Sequence, residues 1–267
     1  MKAVILAAGY AKRLNSITNN GEIPKTLLDI NVHGKKMPIL VYLLDKINQI
    51  KSIDEIIIIT NNKYFEQISV TCGQYQSYAP ITLYSDGSTS VDNATGANRA
   101  IQLANHRIPE TYTDDILIMG SDNYFEFDLN EFVDTYDYLT SLSKSRINMI
   151  ASKTYPDKDR EFIAQNFGIL NVDELHRIVS LDEKPGIENL RSNIVSLAMY
   201  IINRDDLNLI DRYMIKYEND PKKRDSMGYF MSHLIKNTSA YAFEIPGRFC
   251  DIGTPQEYAN LNEELKI

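Results

Sequence analysis

At 267 residues, 43% of them hydrophobic and 24% charged, the chain is long enough to bury a large core as one domain. A formal net charge of −8 excludes a broad basic face, so nucleic acid is not an expected partner. The longest apolar runs, such as Ile56 to Ile59, are far too short to span a bilayer, and Arg13 ends the N-terminal apolar stretch before it reaches the length of a secretory core. No membrane association and a cytoplasmic location are therefore expected.

Lys2 to Ala7 reads as the first strand, followed by the small residues and cations of "AAGYAKR". Ile39 to Ile50 reads as a helix with Pro38 suited to its first turn. "DEIIIIT" (Asp54 to Thr60) is an apolar run bounded by charge and Asn, the pattern of a strand covered on both faces. Tyr64 to Val70 suits a helix, Ile81 to Tyr84 a strand, Ala97 to Asn105 a helix, and "DDILIMG" (Asp114 to Gly120) another buried strand. A helix is predicted from about Leu129 to Leu142. Strands alternating with helices of this length predict an α/β fold with a parallel sheet.

From Ile147 the texture changes. Ile147 to Ser152, Phe167 to Val172, Arg177 to Leu181 and Ile194 to Ile202 are strand candidates with little helix between them, as in a mixed or antiparallel extension of the sheet. Helices return at Leu207 to Tyr217 and Ser226 to Lys236, then a strand near Ala240 to Ile245 and a last helix from Pro255. The stretches "NVHGKK" and "NDPKKRDS" read as connections. Cys72 and Cys250 are far apart and at no metal-ligand spacing, so two reduced thiols are expected.

In open parallel sheets ligands bind beyond the carboxyl ends of the strands, so the residues just after each strand carry the candidate chemistry. After the first strand, Ala8 and Gly9 let backbone N–H groups approach an anion, and Arg13 offers a planar fork of donors to phosphate oxygens. Pro24 makes a stiff approach to Lys25. After "ILIMG", Asp122 has the setting of an oxygen ligand for Mg²⁺. In "FCDIGTPQEY", Asp251 stands among apolar residues, where a carboxylate needs a partner or a metal. The charged turn "DEKPG" presents Glu183 and Lys184. On spacing alone each has an ordinary alternative: a solvated cationic turn, an exposed lysine, a helix-capping Asp.

Taken together and in order, "LAAGYAKRL…PKTLLDI", "GSDN", "EKP" and "DIGTPQEY" resemble the signatures of the sugar-nucleotide nucleotidylyltransferase family, and "SDGSTSVDNATGAN" resembles the base-side loop of one of its branches. The resemblance runs to about Tyr258. It implies an α/β, three-layer, nucleotide-diphospho-sugar-transferase-like (Rossmann-like) fold with a mixed, mainly parallel sheet and helices on both faces. The implied domain is single and covers 1–267, with a nucleotide-binding half at about 1–145 and an acceptor-binding half at about 146–267. The implied reaction joins an NTP (CTP, UTP or dTTP) to a sugar 1-phosphate with Mg²⁺ as cofactor and releases pyrophosphate.

Carried onto this chain, Ala8, Gly9 and Gly96 bind the nucleotide, Arg13 and Lys25 are catalytic, and Asp122 and Asp251 hold the metal. Glu183, Lys184 and Tyr200 then face the acceptor. The family usually reads Gly-Thr-Arg where this chain has Ala11-Lys12-Arg13, and Ala198 stands where a glycine is common. Two other readings remain: a cytidylyltransferase for a non-sugar phosphate such as phosphocholine, with Tyr10, Tyr124, Tyr200 and Tyr229 as cage candidates, and a catalytically silent nucleotide or sugar-nucleotide binding protein. Oligomeric state is left open.

Overall fold

The computed structural model describes residues 1–143 and 145–266; Lys144 and Ile267, both within the predicted domain, lie outside the described residues. In chain order the elements are β1 (Lys2–Ala7), β2 (Asp29–Val32), β3 (Lys35–Pro38), α1 (Ile39–Ile47), β4 (Glu55–Thr60), α2 (Phe65–Gln74) and β5 (Ile81–Ser85). There follow α3 (Ala97–Arg107), β6 (Ile116–Gly120), β7 (Asn123–Phe125), α4 (Leu129–Leu142), β8 (Asn148–Thr154), α5 (Arg160–Asn166), β9 (Gly168–Val172) and β10 (Ile178–Glu183). The chain closes with β11 (Ile194–Ile202), α6 (Arg204–Leu207), α7 (Leu209–Lys216), α8 (Pro221–Asp225), α9 (Met227–Asn237), β12 (Ala240–Glu244), β13 (Phe249–Asp251) and α10 (Pro255–Glu264).

These elements gather into two compact units made of interleaved segments: Met1–Thr95, Gly120–Leu129 and Pro246–Ile267 form the first, Gly96–Met119 and Asn130–Ile245 the second. In the first, β4 lies between β1 and β5, all parallel, with Ala7 opposite Thr60 and Thr60 opposite Ser85. The four isoleucines Ile56 to Ile59 are almost wholly buried, as a strand covered on both faces requires. The register ends all three strands at one level, so the residues that follow them emerge at one edge.

In the second unit β11 is the hub. It runs antiparallel to β6 through Met199 to Ile202 and to β9 through Ile194 to Ser196, and antiparallel to β8 through Ile194 to Ser196 and again through Tyr200 and Ile201. Its register with β8 shifts between Ser196 and Tyr200. β12 extends β8 in parallel, and β10 pairs antiparallel with β9. The sheet is thus mixed, and the change of texture after Ile147 marks the antiparallel strands. Among the described residues no helix is long and apolar enough to cross a membrane.

The structure adds a hairpin, two short helices and a two-stranded ribbon to the sequence reading. "NVHGKK" is the hairpin β2–β3, turned by His33 and Gly34, both at positive φ (50° and 78°), the backbone a two-residue hairpin turn requires. "NDPKKRDS" contains α8, started by Asp220, whose side chain accepts from the Lys223 N–H, with Pro221 in its first turn. α5 fills a stretch expected to hold little helix. The short strands β7 and β13 form a separate antiparallel ribbon.

Candidate active site

The first unit concentrates charge around the end of β1. Ala8 is fixed by its carbonyl, which accepts from Asn61 Nδ2 at 3.0 Å. Around Gly9, a side chain would meet nothing within 4 Å, so the backbone there is open to a ligand. Tyr10 is buried, and its hydroxyl donates to Ser88 Oγ (3.0 Å); Ser88 and Thr95 in turn donate to the Asp86 carboxylate (2.7 and 2.6 Å). That chain of bonds fastens the first turn to the loop after β5. Ala11 takes the left-handed conformation (φ 47°, ψ 42°), so the turn keeps the shape a glycine favours although the residue is alanine. The 3-10 turn Lys12–Leu14 follows and carries Arg13. The Arg13 guanidinium lies against Gly253, where a β-carbon would approach it to 3.3 Å.

Asp122 and Asp251 meet through the β7–β13 ribbon. Asn123 is paired with Asp251 across the ladder, and Ile252 N–H donates to the Asp122 carbonyl at 3.0 Å. The two aspartates are therefore one step from an opposed pair, whose Cα atoms lie about 5 Å apart in such ladders. Tyr42 of α1 supports the ribbon, stacking on Tyr124 at 5.1 Å and donating from its hydroxyl to the Phe125 carbonyl. Just past β13, Thr254 caps α10: Glu257 N–H donates to Thr254 Oγ1 (3.2 Å), while Glu257 Oε2 accepts from Thr254 Oγ1 (3.0 Å) and Gly253 N–H (2.9 Å). "GTPQE" is thus a helix start that holds Asp251 in place.

Lys25 follows Pro24, whose φ of −64° leads into the 3-10 turn Lys25–Leu27, and its Nζ donates to Asp122 Oδ2 at 2.5 Å. The side chains of this pair are 15% and 32% exposed, so the bond is sheltered but reachable. Burial first, and then the neighbouring Asp122 charge, push the Asp251 carboxyl up to about 7, with Lys25 and Arg13 opposing the rise. Two adjacent carboxylates short of positive partners suit a hard divalent cation. Among the described residues no third His, Cys, Asp or Glu completes a metal cluster. The remaining positions around an ion such as Mg²⁺ would then be filled by water and phosphate oxygens, as that ion prefers.

The second unit builds a different arrangement around Glu183. This residue ends β10 opposite Gly168 of β9. Ser226 Oγ donates to Glu183 Oε1 at 2.6 Å, and the carboxylate rests on the first turn of α9. A β-carbon on Gly228 would fall 1.7 Å from Glu183 Oε2, and one on Gly168 would fall 2.9 Å from it. Both glycines are therefore required by the carboxylate's position, and the N-terminal end of α9 favours its charge. Lys184 is exposed and itself sits at positive φ (48°), with its N–H donating to the Phe167 carbonyl at 3.1 Å.

Tyr200 is buried, 3% exposed, and its hydroxyl is held un-ionised by burial and by the Glu183 charge. It presents no ring at the surface. Gly96 (φ 83°) precedes α3, and a β-carbon there would come within 2.8 Å of the Asp225 backbone. Asn98 Nδ2 holds the same junction through the Lys223 and Ser226 carbonyls (2.8 and 2.9 Å). Of the cage candidates, Tyr10 and Tyr124 are each packed on another tyrosine, Tyr200 is buried, and the Lys222 ammonium lies over the Tyr229 ring at 5.6 Å.

Sequence reasoning missed Asn61, Gly168, Ser226 and Gly228. The Thr254 cap and its Glu257 partner were visible as T-x-x-E. The others carry no local signal, because their role is to leave room for, or bond to, a residue distant in the chain.

The sequence profile of the family described as nucleotidyl transferase matches residues 2–266. The bifunctional protein GlmU of Methanocaldococcus jannaschii is 26% identical over 99% of this chain and 54% of its own length. Glucose-1-phosphate adenylyltransferase of Thermotoga neapolitana is 30% identical over 57% of this chain and 33% of its own. The chain thus spans about half the length, or less, of the curated relatives it matches. A solved UDP-glucose pyrophosphorylase, complexed with UDP-glucose, superposes with a TM-score of 0.78 at 15% identity, covering 99% of this chain and 98% of that one, and so shares the fold. The chain belongs to the nucleotidyl transferase family.

Proposed function

We propose that this chain, over its whole length as one domain, joins an NTP to a sugar 1-phosphate, giving an NDP-sugar and pyrophosphate. The observation that carries the reading is the cluster of Arg13, Lys25, Asp122 and Asp251 gathered at the strand ends of the first unit. In the reaction an oxygen of the acceptor phosphate attacks the α-phosphorus of the NTP. The bond from that phosphorus to its bridging oxygen breaks, and the electron pair leaves on pyrophosphate. The attacking oxygen is already an anion, so the protein's work is positioning and charge neutralisation.

In this reading the open backbone at Ala8 and Gly9 lies along the nucleotide, a CTP, UTP or dTTP, and Gly96 lies toward the base. Arg13 pairs with the departing pyrophosphate, and Lys25 with phosphate oxygens at the reacting centre. Asp122 and Asp251 would hold Mg²⁺, which when bound draws charge from phosphate oxygens. Glu183, fixed by Ser226, accepts hydrogen bonds from acceptor hydroxyls, and Lys184 pairs with the acceptor phosphate. The scattered burial of the cage candidates favours a sugar over a quaternary ammonium.

The test is pyrophosphate release from CTP, UTP, dTTP, ATP and GTP with Mg²⁺, each against hexose 1-phosphates and phosphocholine. Turnover with a sugar 1-phosphate is expected. Turnover confined to CTP with phosphocholine, or none on any pair, would overturn the reading.

A further inference from the structure

The second unit carries a cavity of about 260 Å³ between α7 and α9, with α8 at one end, that the proposed reaction does not use. α9 contributes Tyr229, His233 and Lys236 at helical spacing, so all three share one face. α7 contributes Tyr213, Lys216 and Tyr217, and α8 contributes Lys223. Three lysines line the cavity and no carboxylate does, on a chain whose net charge is −8. Among the described residues, Lys223 pairs with Asp220 at 3.4 Å. Lys216 and Lys236 are exposed and have no ion-pair partner among the described residues.

The floor is aromatic. Tyr213 packs on Tyr217 and His233 with ring centroids 4.8 and 5.5 Å apart. Tyr217 lies under two ammonium groups, Lys216 at 5.2 Å and Lys223 at 4.5 Å. Tyr213 is held from behind, its hydroxyl donating to the Lys223 carbonyl at 2.8 Å. The rings are thus fixed, and the Lys216 and Lys223 ammonium groups are gathered over one of them. Burial, and next the charges of Lys216 and Lys236, hold the His233 imidazole below its usual range, in keeping with positive charge concentrated there.

Such a cavity selects by chemistry. Compact ammonium charges bind phosphate oxygens, and flat tyrosine faces take the apolar face of a ring while their hydroxyls meet its oxygens. The volume exceeds that of a bare phosphate. We propose that the α7–α9 cavity is a second small-molecule site that binds a phosphorylated sugar, through Lys216 and Lys236 on the phosphate and Tyr217 and Tyr229 around the ring, with buried Tyr213 as the base beneath them. The site lies within one unit and does not depend on the proposed transfer reaction.

The test reads the cavity directly, by following the His233 ring protons by NMR against pH, with His233→Gln for assignment and glucose 6-phosphate as the probe. Saturable binding is expected to raise the His233 pKa by about one unit, as an opposite charge a few ångströms away does. Lys216→Gln/Lys236→Gln should abolish the shift, and Lys216→Arg/Lys236→Arg should retain it. No shift, the same shift from KCl at matched ionic strength, or a shift surviving in the double Gln variant would overturn the site. Half-saturation by inorganic phosphate at the same concentration would overturn the sugar. Because catalysis is not read, failure here leaves the transfer reaction untouched, and the reverse also holds.

Discussion

The two carboxylate sites are held by opposite means. Around Asp251, burial and a second carboxylate oppose the charge, and only Lys25 and Arg13 offset it. Around Glu183 the partners are neutral: a serine hydroxyl, the first turn of a helix, and two glycines that clear space. The first arrangement is short of positive charge, which suits a cation and phosphates that come and go. The second is already satisfied, which suits a carboxylate that must keep one orientation while a neutral, hydroxylated ligand docks. The same side-chain chemistry thus serves electrostatics in one unit and positioning in the other.

If that contrast is right, the largest effect belongs to Asp251. Asp251→Asn is expected to cut pyrophosphate release by about a hundred- to a thousandfold, the scale of a lost stabilising contact at a reacting centre. Its Tm should not fall, because the amide removes a charge that its surroundings oppose. A loss of fold by circular dichroism would break the comparison by making Asp251 a structural residue. Gly228→Ala tests the other side. In a helix the change should gain about 1 kcal/mol, yet the clash with Glu183 should cost about 1–3 kcal/mol and raise KM for the acceptor more than it lowers kcat. Combining it with Glu183→Ala should restore the Tm, and additive losses in that cycle would separate the two residues.

Ser226→Ala should cost about 1 kcal/mol and raise acceptor KM severalfold, since Glu183 stays charged but loses its anchor. An unchanged KM would mean that α9's first turn alone orients the carboxylate. The smallest effect is expected at Ala11. A left-handed L-residue costs about 1–2 kcal/mol, and glycine's extra chain freedom returns about 0.5–1 kcal/mol. Ala11→Gly should therefore raise the Tm by no more than a few degrees and leave kcat nearly unchanged. A marked change in kcat would show that the strained turn is tuned for catalysis.

How much of this was readable in advance depends on how local the cause is. The helix Leu129–Leu142 and the strand Ile194–Ile202 match their predicted bounds, because hydrophobic period and capping act over a few residues. The hairpin β2–β3 was read as a connection although His33-Gly34 supplied its turn, because the strands are short and half-exposed and leave little alternation to see. The ribbon β7–β13 was invisible for a different reason: its strands lie more than a hundred residues apart and pair only through tertiary structure.

By itself, then, the sequence determined the alternation of strands and helices, the change of texture after Ile147, and which residues at the strand ends carry charge. These follow from periodicity and residue chemistry along a few turns of chain. Only the tertiary structure decided that Asp122 and Asp251 stand one step apart on a ribbon, and that Gly168 and Gly228 exist to admit Glu183. It also decided that Tyr200 is buried and offers no surface. Those are facts about which distant backbones come within a few ångströms of one another, and steric exclusion at that range leaves no trace in local pattern.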